Sequence, residues 1–254
     1  MSDHVVVEFQ DRILTIRLNR PEKKNALTFA MYKAMTEALA NADGDPSVRV
    51  VLITGTPDCF TAGNDLADFA AAKPRQVSPA VQYLETLAAA AKPVVAAVAG
   101  VAIGIGTTML LHCDLVYAAA NARFQLPFVN LGLCPEAASS AILPALMGTH
   151  RAAELLFFGE AFGAEAARDL SIVNQVVADA ELLPMATAKA QLLSQKPPTA
   201  LRTTKMLLKN GQADVIKQAM SRESQQFAAL LQGPEAKEAM AAFLERRKPD
   251  FSAF

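Results

Sequence analysis

The chain has 254 residues, 52% of them hydrophobic, and its 24 Lys and Arg against 25 Asp and Glu give a formal net charge of −1. Mean hydropathy of +0.21 excludes disorder and allows one large domain with an ample core. Near-neutral charge without a long basic run argues against a nucleic-acid partner.

Val5 to Phe9 and Ile13 to Leu18 read as two strands joined by a turn at Gln10-Asp11-Arg12. The segment NRPEKKNAL follows as a loop, with Pro21 as breaker and the basic pair Lys23-Lys24. Apolar residues at Met31, Met35, Leu39 and Ala42 keep a helical period from Thr28, a plausible N-cap, to Ala42. Val48 to Thr54 is a nearly all-apolar strand, the mark of burial on both faces.

The pattern then recurs. A loop from Gly55 to Asp65 leads to a helical region through Ala91, and Val94 to Val98 is a second buried strand. A helix is expected from Gly104 to His112, a third strand at Leu115 to Ala119, a loop from Arg123 to Pro135, and helices from Glu136 to Leu156. Strands alternating with helices predict an α/β fold with parallel pairing. From about Leu182 the texture is helical only, with breaks at Pro197-Pro198, Gly211 and Gly233-Pro234.

Val94 to Leu111 is the best candidate for a membrane span. Its length barely reaches the requirement, and its richness in Ala, Gly and Thr favours a buried strand, turn and helix. The N-terminus shows no basic region followed by an apolar run, and FSAF at the C-terminus is not a peroxisomal address, so a cytoplasmic protein is expected. Cys59, Cys113 and Cys134 form no CxxC pair, and neither a disulfide framework nor a metal site is indicated.

Four features bear on chemistry. GVAIGIGTT, Gly100 to Thr108, lacks the third glycine of a dinucleotide fingerprint and the GK[ST] of a P-loop. It reads equally as plain packing or as a strand-to-helix turn with free N–H groups. CFTAGNDL, Cys59 to Leu66, offers small residues at the end of a strand, or simply Asn64 or Asp65 capping a helix. His112 is expected to meet loose carbonyls at a helix end, and no GxSxG serine supports a hydrolase triad. Glu136 is the sole Asp, Glu, Lys or Arg between Arg123 and Arg151. It reads either as first-turn help to a helix beginning at Pro135 or as a desolvated proton shuttle.

Taken together, LNRPEKKNAL, VVLITG with CFTAGNDL, KPVVAAVAGVAIGIGTTMLLHCDLVYAA and FLERRKPDF, in that order, resemble the crotonase (enoyl-CoA hydratase/isomerase) superfamily over essentially the whole chain. The resemblance implies a crotonase-like ββα spiral over residues 1–195 and a C-terminal helical trimerisation lobe over 196–254, in a homotrimer or dimer of trimers. It implies an acyl-CoA thioester substrate, with the N–H groups of Ala62 and Ile105 as oxyanion donors. Lys23, Lys24, Ala26, Thr61, Gly63, Asn64, Asp65 and Leu66 would cradle the CoA moiety, and Leu126, Phe128 and Asn130 would line the acyl pocket. Hydratases of the family use two glutamates; the matching positions here hold Thr108 and Phe128. FQLPFVNLGLCPEAASS instead resembles the Δ3,Δ2-enoyl-CoA isomerase subgroup, which implies Glu136 as single catalytic base and no metal or redox cofactor. A hydratase, another acyl-CoA activity on the same fold, or a non-catalytic acyl-CoA binder are the alternatives.

Overall fold

The computed structural model describes residues 3–65, 68, 78–245 and 247–254. It opens on a hairpin, β1 (Val5–Gln10) and β2 (Ile13–Leu18), paired antiparallel. The intervening Asp11 and Arg12 both have positive φ, 52° and 67°, the backbone twist that lets a two-residue loop match the strands it joins. Helix α1 (Phe29–Gly44) begins at the expected N-cap, where the Thr28 hydroxyl accepts from Met31 N at 3.2 Å.

Two sheets organise the rest. β3 (Val50–Thr54), β5 (Val94–Val98), β7 (Leu115–Ala119) and β10 (Gln175–Val177) extend the hairpin into a six-stranded sheet of order β1-β2-β3-β5-β7-β10, parallel from β2 onward. β4 (Cys59–Thr61), β6 (Val101–Ile103), β8 (Arg123–Gln125) and β9 (Ala161–Gly163) form a smaller sheet in that order. Each buried strand of the large sheet is thus followed by a short strand of the small one: β3 by β4, β5 by β6, β7 by β8. Helix α2 (Pro79–Ala89) separates the first two pairs. The short α3 (Ile105–Thr108), continued as a 3-10 turn over Met109–His112, separates the second and third. The result is the ββα spiral that the resemblance implied.

The central strands β3, β5 and β7 of the large sheet are buried on both faces, as their unbroken apolar runs require. Side chains alternate across the pleat. Val51, Ile53, Val94, Ala96 and Val98 face the main core with Leu18, Met31 and Tyr83. Val50, Leu52, Val95 and Ala97 face a second cluster covered by Leu182, Ala186 and Ala190 of α7 (Leu182–Ser194). Further along lie α8 (Pro198–Asn210), α9 (Ala213–Leu231) and α10 (Pro234–Leu244). Lys205 of α8 is buried and pins that helix to the sheet, its Nζ donating to Lys92 O at 2.6 Å and to Asp114 Oδ2 at 2.7 Å.

β4, β6 and β8 of the small sheet lie where the sequence suggested loops or turns, and β9 lies in a stretch it left unassigned. The sheet's strands have three residues each, too few to express a period of two. The helix expected from Glu136 begins instead at Ser139, as α4 (Ser139–Met147), followed by α5 (Thr149–Phe158) and the short α6 (Ala164–Asp169). The span Val94 to Leu111 is β5, β6, α3 and part of the 3-10 turn. Among the described residues no helix is long and apolar enough to cross a membrane.

Candidate active site

β4 and β6 run parallel and adjacent, so the chain leaves both at the same sheet edge, where α/β folds place ligand-binding loops. There the turns Ala62–Asn64 and Gly104–Gly106 meet. A Cβ on Gly63 (φ +92°) would lie 2.8 Å from Ile103 O, and one on Gly106 would lie 2.7 Å from Thr61 Cγ2. Only glycine allows this approach.

Within these turns the free donors differ from those the resemblance implied. The Ala62 N–H donates to Lys24 O at 2.9 Å and is not available to a ligand. Asn64 stands in a parallel bridge with Leu27 in which Leu27 N donates to Gly63 O and Asp65 N donates to Leu27 O. The Asn64 N–H therefore points away from Leu27 and has no acceptor among the described residues. Ile105 is buried, and its N–H also lacks an acceptor there: Thr107 N and Thr108 N both donate to Gly104 O. The open pair is Asn64 and Ile105.

The loop before α1 is held by a residue that sequence inspection passed over. Asn25 is fully buried with φ +52°, and its amide donates to Cys59 O at 2.8 Å and Phe60 O at 3.1 Å while its Oδ1 accepts from Arg20 N at 2.7 Å. The Thr61 hydroxyl closes the arrangement, donating to Asn25 O at 2.7 Å and accepting from Gly63 N at 3.1 Å. Asp65 is paired with Arg20 at 2.6 Å, and the same guanidinium donates to Ala26 O at 3.0 Å. Thr61, Asp65 and Ala26 thus act as scaffold, whereas the side chains of Lys23 and Lys24 stand exposed beside them. Leu66 lies outside the described residues.

Glu136 reaches this edge from the far side of the sequence. It precedes α4 outside any helix or strand, and Ala137 (φ 59°) and Ala138 (φ 56°) follow in the left-handed region. First-turn stabilisation therefore does not account for its acid. Its Oε1 accepts from the Thr108 hydroxyl at 2.9 Å, which places the carboxylate beside the Ile105–Thr108 turn. Burial pushes the carboxyl up to about 7; the Thr108 bond opposes that rise and the Glu223 charge adds to it. A base with that proton affinity is poised for proton transfer near neutrality. Tyr32 completes the convergence, its hydroxyl donating to Asn64 Oδ1 at 2.5 Å. Burial, reinforced by the charges of Glu136 and Tyr83, holds that hydroxyl well above the usual phenol range and so keeps it protonated.

His112 is structural, though not as a cap for its own helix end. Its Nε2 lies 2.8 Å from Ala137 O, and desolvation drives the imidazole down to about 4, so the neutral ring presents Nε2–H to that carbonyl. The expected acyl-pocket residues divide. Leu126 and Phe128 are buried in the main core. Asn130 is exposed, its amide spent on Phe158 O at 3.0 Å and Gly159 O at 3.3 Å, so it links a turn to the end of α5 rather than offering a free amide to a ligand. Tyr32 and Glu223 carried no readable motif; Asn25 lay within LNRPEKKNAL, but nothing in the sequence showed it as the loop's anchor.

A family model described as enoyl-CoA hydratase/isomerase matches residues 8–253, and the chain belongs to that family, as an enzyme of the crotonase fold. It is 34% identical over 251 residues to 2,3-dehydroadipyl-CoA hydratase of Escherichia coli, covering 97% of this chain and 98% of the relative. It is 32% identical to enoyl-CoA delta isomerase 2 of Rattus norvegicus, covering 97% of this chain but 64% of that protein. Among solved structures, Pseudomonas aeruginosa OdaA superposes with a TM-score of 0.94 at 45% identity, over 96% of this chain and all of the other.

Proposed function

We propose that this enzyme is a Δ3,Δ2-enoyl-CoA isomerase working through one carboxylate. Glu136 removes a C2 proton from a 3-enoyl-CoA; the electron pair moves into the thioester, and the dienolate oxygen is held by the N–H groups of Asn64 and Ile105. The protonated Glu136 then returns the proton to C4 and leaves the 2-enoyl thioester, with no net oxidation and no water consumed. Lys23 and Lys24, exposed at the rim, suit the phosphates of the CoA moiety.

The observation that carries this reading is the state of the carboxylates. Water addition by the family's two-glutamate route needs a second acid, and Thr108 and Phe128 occupy the positions where it would stand. The buried carboxylate nearest Glu136 among the described residues is Glu223, and its oxygens are already committed to Ala138 N, Ser140 N and the Ser140 hydroxyl. A hydratase is the second reading, favoured by the names of several relatives. Incubation with 3-hexenoyl-CoA and with crotonyl-CoA separates the two: isomerisation of the first without hydration of the second is expected, and the reverse sinks the proposal. Glu136→Gln should lose turnover by 10²-fold or more, on the order expected for a general base, while CoA-ester binding persists.

We further propose a homotrimer or dimer of trimers. Leu207, Leu208 and Leu244 of α8 and α10 are 66–78% exposed, more apolar surface than a lone helical lobe ordinarily presents. Light scattering coupled to size exclusion tests it; a monomer would end the idea.

A further inference from the structure

The turn that aims Glu136 is built from unfavourable backbone. Ala137 and Ala138 sit consecutively in the left-handed region, each at a cost of about 1–2 kcal/mol for a residue with a Cβ. Such a conformation persists only where its surroundings over-determine it. One restraint is His112 on the Ala137 carbonyl, at 2.8 Å. The others come from the C-terminal lobe. Glu223 of α9 is 7% exposed; its Oε2 accepts from Ala138 N at 2.6 Å and its Oε1 from Ser140 N at 2.9 Å and from the Ser140 hydroxyl.

That carboxylate lies in an otherwise apolar seam, where Ala219, with Ile216 and Met220 beside it, packs on Ala138 and Ile142. An apolar residue would fill such a seam without the cost of desolvating a charge. The carboxylate is there to bind backbone: no apolar side chain could accept from both amides at once.

We propose that Glu223 is a positioning residue for Glu136, clamping the 137–140 turn from α9 so that the Glu136 carboxylate faces Thr108 and the open N–H pair. This assignment rests on Glu136 being the proton shuttle. It links the C-terminal lobe to the chemistry of the spiral core, and anything that shifts α9 moves the base. Glu223 also acts at a distance, its charge adding to the high proton affinity of Glu136. Among the described residues, the other titratable groups near the base are Tyr32 from α1 and Cys134 on its own loop, both of which feel its charge, and His112, neutral behind the turn.

Glu223→Gln tests it, because an amide can accept from one of the two N–H groups but presents its NH2 to the other. Turnover of 3-hexenoyl-CoA should fall roughly ten-fold or more with KM within about two-fold, the signature of a misplaced catalytic group. The acidic limb of the pH–rate profile should move down by roughly half a pH unit or more, as loss of a neighbouring negative charge requires. The same downward shift is read without turnover by the pH titration of 13C-labelled glutamate carboxyls, Glu136 being assigned by its loss in Glu136→Gln. A wild-type protein that does not isomerise would refute the function proposed above, and the titration would still report on the coupling. Unchanged turnover, or reduced turnover with the Glu136 titration unmoved, overturns the proposal. Should Glu223→Gln fail to fold, Glu223→Asp keeps the charge but shortens the reach. It should lose kcat at constant KM with the acidic limb in place, and wild-type kcat there overturns the proposal too.

Discussion

The Thr108 hydroxyl donates a 2.9 Å hydrogen bond to Oε1 of Glu136, joining the glycine-rich turn after β6 to a loop that arrives after β8. The bond favours the ionised carboxylate and opposes the upward push of burial. Thr108→Val removes it at nearly constant volume. The Glu136 carboxyl should then rise beyond about 7, and the base, inactive when protonated, should lose activity at neutral pH several-fold with recovery at higher pH, as a rate change tied to its protonation requires. A pH–rate profile of the variant with its acidic limb where the wild type has it would refute this.

Glu136 itself should cost stability at alkaline pH. Its folded value of about 7 lies above the ordinary 4.5, so its contribution is fully present below 4.5 and is lost as pH rises through 7. Glu136→Gln keeps an acceptor for Thr108 and carries no charge. It should be more stable than wild type at pH 8 by about 1–2 kcal/mol, with the difference shrinking toward pH 4.5. Urea denaturation at the two pH values measures it; a variant less stable at pH 8 contradicts the desolvated placement.

His112 has the opposite sign. Burial lowers its folded value to about 4 from 6.5, so its contribution is present above 6.5 and is lost as pH falls through 4. His112→Gln retains an N–H for Ala137 O without titrating. Relative to wild type, its unfolding free energy should improve progressively from pH 6.5 to 4, and a constant offset across that window would rule the assignment out.

Asn25→Ala should destabilise the chain by roughly 2–4 kcal/mol, because it removes the amide that donates to the Cys59 and Phe60 carbonyls and the oxygen that accepts from Arg20 N, and puts alanine at a left-handed φ that asparagine tolerates better. The KM for acyl-CoA should rise as well, since the loop it anchors carries Lys24, whose carbonyl receives Ala62 N. Chemical denaturation and steady-state kinetics check both; wild-type stability would show the network to be redundant.

The amino-acid pattern alone carried α1 and every strand of the large sheet except the three-residue β10. Val50–Thr54, Val94–Val98 and Leu115–Ala119 are long enough and apolar enough to declare themselves, and Thr28 marks its helix by a local hydrogen bond. Glu136 was legible for a similar reason, as one charge in an apolar run. The small sheet was not, because strands of three residues owe their existence to pairing with neighbours distant in the chain. Nor was the choice of backbone donors. Whether the N–H of Ala62 or of Asn64 is free depends on which one Lys24 O and the Leu27 bridge consume, and that is set by loops more than thirty residues apart. The reading of Glu136 as an aid to helix initiation failed because α4 starts three residues later, after two left-handed alanines that local propensity disfavours. Local sequence determined which segments are strands and which residue carries the unusual charge. Only the tertiary structure, by bonding Glu223 and His112 to a strained turn and Thr108 to the carboxylate itself, decided where that charge points and how tightly it holds a proton.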